Sequence, residues 1–169
     1  LSAVQDGLLR AAEHRLAAGD AATATRVYDG LKAPANPPAV RTAALRGAIL
    51  ARGPGGLPLL TAALNDPDDV AFTTALRTAM ELPGADTTQA LAAALKGVPE
   101  ARQLQLLKVL GLRGDAAALP ALEDIVRTGV PATRAAAIQS LAQTGSPSAV
   151  PLLATAAADA DATVAEAAH

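Results

Sequence analysis

His14 and His169, a cluster of aspartates and one column of basic residues are the groups in this chain whose types and spacing could do chemistry. The two histidines are the only imidazoles and lie at opposite ends of 169 residues. In a chain built of successive helices those ends are far apart, so no shared His site is expected. His14 reads as a solvated or half-packed side chain. Cys is absent, which removes thiol chemistry and any disulfide framework. Ser-His-Asp chemistry lacks its parts as well. Asp66, Asp68 and Asp69 form the densest carboxylate group, and hard cations want several oxygens. The Gly and distal Glu of a calcium loop do not follow, so a helix cap in an acidic turn is the expected role. Asp159 and Asp161 read the same way. Glu123 and Asp124 are adjacent and diverge by about 100° on a helix, so they make no catalytic pair. Gly53-Pro54-Gly55-Gly56 lacks the Lys-Ser/Thr and the preceding strand of a phosphate loop, and reads as a helix stop. No catalytic, metal-binding or cofactor-binding residue is assigned, no cofactor is expected, and neither is enzymatic activity.

The basic column is Arg46, Arg77 and Lys108, continued by Gln139, each 31 residues after the last. Like charges at a regular spacing add their fields and attract an acidic partner. The plainer alternative is a solvated helix face, the usual fate of a charge run. These three are the candidate partner-binding residues.

The spacing of that column follows from the elements that carry it. Leu45, Leu76, Leu107 and Ile138 keep the same 31-residue period, as do Ala48, Ala79, Leu110 and Leu141. So do Leu60, Leu91, Leu122 and Leu153, and Leu64, Leu95, Val126 and Ala157. Ala and Leu dominate while the aromatics reduce to Tyr28 and Phe72, a composition of helix formers poor in strand formers. An all-α chain is expected, with a core of small and medium side chains. Each unit holds two helical patterns, A and B. A capping helix is expected over Gln5–Ala18. The pairs follow as Ala21–Lys32 with Ala39–Arg52, Leu57–Leu64 with Asp69–Leu82, Thr87–Lys96 with Pro99–Leu112, and Ala116–Arg127 with Pro131–Gln143. A fifth runs Pro147–Ala158 and is cut off after Ala162–His169. Pro suits first turns, Asp68 or Asp69 suits a cap, Asp86 with Gln89 has capping-box spacing, and Ser146 precedes Pro147 as a Ser cap. A single pair cannot bury its apolar face, so the pairs must stack.

A Pro inside helix A, an acidic turn and Val-Arg opening helix B complete the pattern. Leu57-Pro58-Leu59-Leu60, Asn65-Asp66-Pro67-Asp68-Asp69 and Val40-Arg41-Thr42-Ala43-Ala44-Leu45 show it best. In these residues the chain resembles HEAT repeats, and in its short unit the bacterial bilin-lyase type. The stretch Ala11-Ala12-Glu13 to Tyr28 also looks somewhat like a TPR-type helix pair. The resemblance implies a right-handed α-solenoid of about five helix pairs in one domain over 1–169, with residues 1–20 as the cap and 21–169 as repeats, the last truncated. It also implies that the B helices line the concave side. Arg41 and Arg134 match the helix-B Arg of the family, whereas Phe72, Gln103 and Ala165 hold that column elsewhere, so no continuous Asp–Arg ladder is expected.

The function this implies is a protein-interaction or scaffold module for a protein partner whose identity the sequence does not give. A bilin-lyase-like or chaperone-like factor is the alternative carried by the resemblance. A nucleic-acid-binding HEAT protein ranks lower, because a formal charge of −2 supplies no basic excess and stacking aromatics are scarce. No apolar run approaches the ~18 residues of a membrane span, so a cytoplasmic protein or an exported one with its leader removed is expected. A start at Leu1 and a stop in a helical pattern at His169 read as a monomeric piece of a longer or processed chain.

Overall fold

The computed structural model of the chain describes residues 3–168. All regular structure in them is helical, with no strand among the described residues. The chain divides into two compact units, Leu1–Leu82 and Pro83–His169.

The first unit holds α1 (Ala3–Ala17), α2 (Ala21–Leu31), α3 (Pro38–Ala51), α4 (Leu57–Leu64) and α5 (Asp69–Ala79). Helix α1 packs on α2 and α3, the pairs α2–α3 and α4–α5 form hairpins, and the B helices α3 and α5 stack on each other. Its core is assembled from Leu9, Ala12, Ala24, Tyr28, Leu31, Val40, Ala44 and Ala48, all buried. The Tyr28 ring lies against Gly47, where a Cβ would approach the ring to 2.5 Å. Only a residue without a side chain lets α3 come so close to α2.

The second unit holds α6 (Ala85–Ala94), α7 (Glu100–Arg113), α8 (Leu119–Thr128), α9 (Pro131–Thr144), α10 (Val150–Ala156) and α11 (Ala162–Ala167). The B helices α7, α9 and α11 stack in that order, and α6 and α8 pack on α7 and α9 respectively. This is the repeated helix-pair architecture of an α-solenoid, as the 31-residue period requires.

The periodic columns are the core. Leu45, Leu76, Leu107 and Ile138 are buried, as are Ala48, Ala79, Leu110 and Leu141. Leu60, Leu91 and Leu122 are fully enclosed, and so are Leu64 and Leu95. Leu153 and Ala157 depart from this and are half-buried. Helix α10 has seven residues and buries only Ala156, too short a face to enclose the last members of two columns.

Several local expectations change for physical reasons. The A patterns starting at Ala116 and Pro147 open as 3-10 turns, Ala116–Ala118 and Pro147–Ala149, before α8 and α10 begin. Pro120 and Pro151 have no amide to give to the carbonyl four residues back, so the α-ladder starts only after those carbonyls. Helix α5 stops at Ala79 rather than Leu82: Pro83 has no amide for the Ala79 carbonyl, and the amides of Met80, Glu81 and Leu82 tighten onto carbonyls three residues back. The Asp86–Gln89 capping box does not form. Helix α6 starts earlier, at Ala85, with Gly84 as its N-cap at φ +95°, and Asp86 falls inside the first turn, where its charge complements the helix dipole. Ser146 stands at the N-cap position without a side-chain bond to the backbone, and its hydroxyl meets that of Ser148 at 2.9 Å instead. Asp68 does cap α5, accepting from the Val70 amide at 2.9 Å.

Candidate interaction surface

The faces of the B helices follow from the buried leucines. Each column residue sits one position after a buried Leu or Ile, about 100° further round the helix, and therefore turns away from the core. Arg46, Arg77, Lys108 and Gln139 are all exposed. Arg46 and Arg77 belong to the first unit, on α3 and α5; Lys108 and Gln139 belong to the second, on α7 and α9.

Their electrostatic states differ. The Arg46 guanidinium makes a two-point pair with Glu81, Nε to Oε1 at 2.7 Å and a terminal nitrogen to Oε2 at 2.5 Å. That hydrogen bonding holds the Glu81 carboxyl below the usual carboxylate range and raises Arg46. Glu81 was not visible as a partner in the sequence. It lies 35 residues after Arg46, one repeat plus one helical turn, and that offset is the signal that could have found it. Arg77 and Lys108 have no carboxylate within ion-pair distance among the described residues. The column is thus one compensated cation, two free cations and an amide.

A second set of polar contacts fixes the turns. Arg41 pairs with Asp68 and Arg134 with Asp159. The intervening Phe72 is buried and makes no such rung, as expected. Gln103, 31 residues before Arg134, reveals a second role for this column. Its side-chain amide donates to the Leu95 carbonyl at 2.9 Å, and Arg134 Nε donates to the Val126 carbonyl at 3.0 Å. Both cap the end of the A helix of their own repeat. Arg134 reaches the next turn as well; Gln103 is too short. In the first unit Asn36 takes the capping role, donating to the Leu31 carbonyl at 3.0 Å.

Asp66 and Asp159 each accept the backbone amide two residues on, at 2.8 and 2.9 Å. Asp161 caps α11 through the Thr163 amide at 2.9 Å. These aspartates are the turn-makers the sequence suggested. Sequence inspection missed the Arg113 network. Arg113 donates to Thr88 Oγ1 at 3.0 Å and to the Gly84 carbonyl at 3.1 Å, and Thr88 donates to Asp115 at 3.0 Å. Desolvation lowers the Arg113 pKa. Asp115 is held below the carboxylate range by the Ala117 amide and then by Thr88.

His14 is exposed on α1, and His169 lies outside the described residues. Among the described residues no group of three or more His, Cys, Asp or Glu is placed to hold a metal ion. Each unit carries a concavity. In the first unit a cavity of about 390 Å³ is lined by Leu45, Leu59 and Ala63 with Arg41, Asp66 and Asp68 at its rim. In the second a groove of about 510 Å³ runs between α6 and α8 over Ala92, Ala93, Pro120 and Ile125. Neither is lined by the basic column.

Residues 94–169 match the family model of HEAT repeats. The structure of human deoxyhypusine hydroxylase in complex with glycerol is similar in fold, with a TM-score of 0.62 over 87% of this chain and 72% of that one, at 17% identity. No curated protein matches the chain in sequence. No described helix is long and apolar enough to cross a membrane.

Proposed function

We propose that this chain is a protein-interaction module without catalysis of its own, and that it meets its partner on the exposed faces of its B helices. One observation carries this. A single register position, 31 residues apart from helix to helix, is outward-facing on α3, α5, α7 and α9 and carries Arg46, Arg77, Lys108 and Gln139. Within each unit, neighbouring B helices that present the same face to solvent make a binding surface. The absence of Cys and the placement of the only histidines at positions 14 and 169 support the non-catalytic part. The fold likeness to deoxyhypusine hydroxylase, at 17% identity, carries no activity over, because one fold hosts many functions.

The test is affinity capture from a native lysate with the wild-type chain and with Arg46, Arg77 and Lys108 all changed to Glu. Loss of a specific partner with the variant is the expected result. Equal recovery by both would move the surface to the A helices or the inter-repeat turns. Assays for hydrolase or transferase activity on the purified chain are expected to stay at background.

A further inference from the structure

The first unit treats its cations unevenly. Arg10 pairs with Asp6, Lys32 and Arg52 share Asp29, Arg41 holds Asp68 and Arg46 holds Glu81. Arg77, like Arg26 on α2, has no carboxylate within ion-pair distance among the described residues, although Glu81 follows it by four residues, one helical turn. Glu81 lies just beyond the C-terminus of α5, its amide bonded to the Thr78 carbonyl at 3.0 Å. A carboxylate there meets the negative end of the helix dipole, and it turns across to Arg46 on α3 for compensation. Arg77, in the last turn of the same helix, is favoured by that dipole and stays open to solvent. Beside it is Met80, 46% exposed, and Leu50 is half-exposed one turn after Arg46 on α3. Arg and Met are the residue types enriched where proteins meet, and a thioether adapts to varied apolar contacts.

We infer that the B face of the first unit receives an acidic segment of a partner protein, with a partner carboxylate on Arg77 and apolar contact on Met80, and that Glu81 is a built-in competitor that sets the affinity by occupying Arg46. The inference rests on the B-face reading above and adds to it the chemistry of the partner and a residue that tunes it. Charge complementarity selects the occupant: the exposed cations on α3 and α5 among the described residues are Arg46 and Arg77, and one is already engaged by a carboxylate in the way a partner's would be. A nucleic acid fits less well, since its affinity grows with the number of phosphates neutralised and Met80 offers it nothing. Glu81 competes by ordinary exchange. When a partner carboxylate takes Arg46, Glu81 is released to solvent or to Arg77, so the gain from that second contact is reduced by the pair that is lost.

The probe is a short fluorescein-labelled peptide of Glu, Gly and Leu, compared with the same peptide carrying Gln for every Glu and with a labelled single-stranded oligonucleotide. Fluorescence anisotropy at low salt is read for the whole chain. Glu81→Gln is expected to tighten the acidic peptide roughly two- to fivefold, the scale of an exposed ion pair. Arg77→Glu is expected to weaken it roughly tenfold, since it replaces attraction with repulsion. Arg26→Glu is the control: an exposed arginine on α2 that meets only the Thr23 hydroxyl, at 3.1 Å. It makes the same change in net charge and should shift binding by less than about twofold. Equal effects of Arg26→Glu and Arg77→Glu, an unchanged affinity for Glu81→Gln, tighter binding of the oligonucleotide, or no binding of the acidic peptide to any variant each overturns the inference. Should the triple charge reversal abolish partner capture while the peptide series stays flat, the B-face surface stands and only the acidic-partner assignment falls. Should both be flat, both fall.

Discussion

The B-helix pair α3–α5 of the first unit and the pair α7–α9 of the second are joined by different means, although α9 also reaches the turn before α11 through the Arg134–Asp159 pair. In the first, α3 and α5 meet through Thr74, whose hydroxyl lies 3.3 Å from that of Thr42, and through the Arg41–Asp68 and Arg46–Glu81 pairs at the surface. In the second, α7 and α9 approach until Gly111 faces Ser140, where a Cβ at Gly111 would lie 3.0 Å from the Ser140 Cα. The Ser140 hydroxyl is buried and donates across to the Leu107 carbonyl at 2.7 Å. Exposed ion pairs contribute about 0–1 kcal/mol each, whereas close packing loses several when disturbed. The same repeat can therefore be closed by adjustable surface charge or by fixed shape. The first kind leaves side chains able to change partners, and that is where the proposed tunable binding face lies.

The largest effects should come from the core, equally in both units. Leu107 is fully buried in the second unit and Phe72 nearly so in the first. Leu107→Ala should cost about 2–5 kcal/mol and Phe72→Ala about 3–5 kcal/mol in a denaturant melt. A loss below about 1 kcal/mol at either would mean that its unit repacks around the gap.

Next in size is the close contact itself. Gly111→Ala places a methyl group against backbone at Ser140 and within 2.6 Å of the Gln143 side chain. Gln143 can turn away; the α9 backbone can move only with its helix. Overpacking of this kind costs about 1–3 kcal/mol. The comparison sharpens with an alanine at Gly30, where an added Cβ meets nothing within 4 Å. That substitution should be neutral or stabilising by roughly 0.4–1 kcal/mol. Similar melts for the two variants would remove the case for shape-fixed closure in the second unit.

What the sequence made legible follows the same division. Columns of Leu at one spacing report burial, so helix faces and most of the core could be read from Leu45, Leu76 and Leu107 directly. The outward position of Arg46, Arg77 and Lys108 came with them, since a helix turns by a fixed angle per residue. Pairing was less legible. Glu81 reaches Arg46 from beyond the end of α5, at a position that the sequence pattern placed inside the helix. The Gln103 cap on Leu95 looks like a broken Asp–Arg rung until the carbonyl it meets is seen. The Asp86 capping box had the right spacing and failed because Gly84 admits a positive φ and lets the helix start sooner.

The double role of Arg134 gives a finer test. Arg134→Gln should keep the bond to the Val126 carbonyl, as Gln103 does for Leu95, and lose Asp159. Arg134→Ala loses both and should cost about 1 kcal/mol more, the typical value of one hydrogen bond. The Asp159 carboxyl is held below its usual range by the Asp161 amide and then by Arg134. A carboxylate whose folded pKa is depressed stabilises the fold above its unfolded value, about 3.9, and loses that contribution as pH falls through the folded value. The difference between wild type and Arg134→Gln should therefore be present at neutral pH and shrink under acid. A difference independent of pH down to strong acid would show that Arg134 acts through Val126 alone.

The smallest effects on stability should be at the candidate binding residues. Arg77 has no ion pair to lose and its side chain is in solvent, so Arg77→Ala should change stability by only a few tenths of a kcal/mol. Lys108→Ala in the second unit should behave alike, for the same reason. Arg46→Ala differs in kind, because it frees Glu81 at the negative end of α5 and should cost up to about 1 kcal/mol, an exposed ion pair plus an uncompensated helix-end charge. This contrast separates the stability of the first unit from its binding face: Arg77 would matter for a partner and scarcely for the fold, Arg46 for both. Urea melts of the three variants at low and physiological salt can decide it. Screening should erase the Arg46 effect as salt rises and leave the other two unchanged. A salt-insensitive loss at Arg77 as large as that of a core truncation would place its side chain in the core and withdraw it from the binding surface.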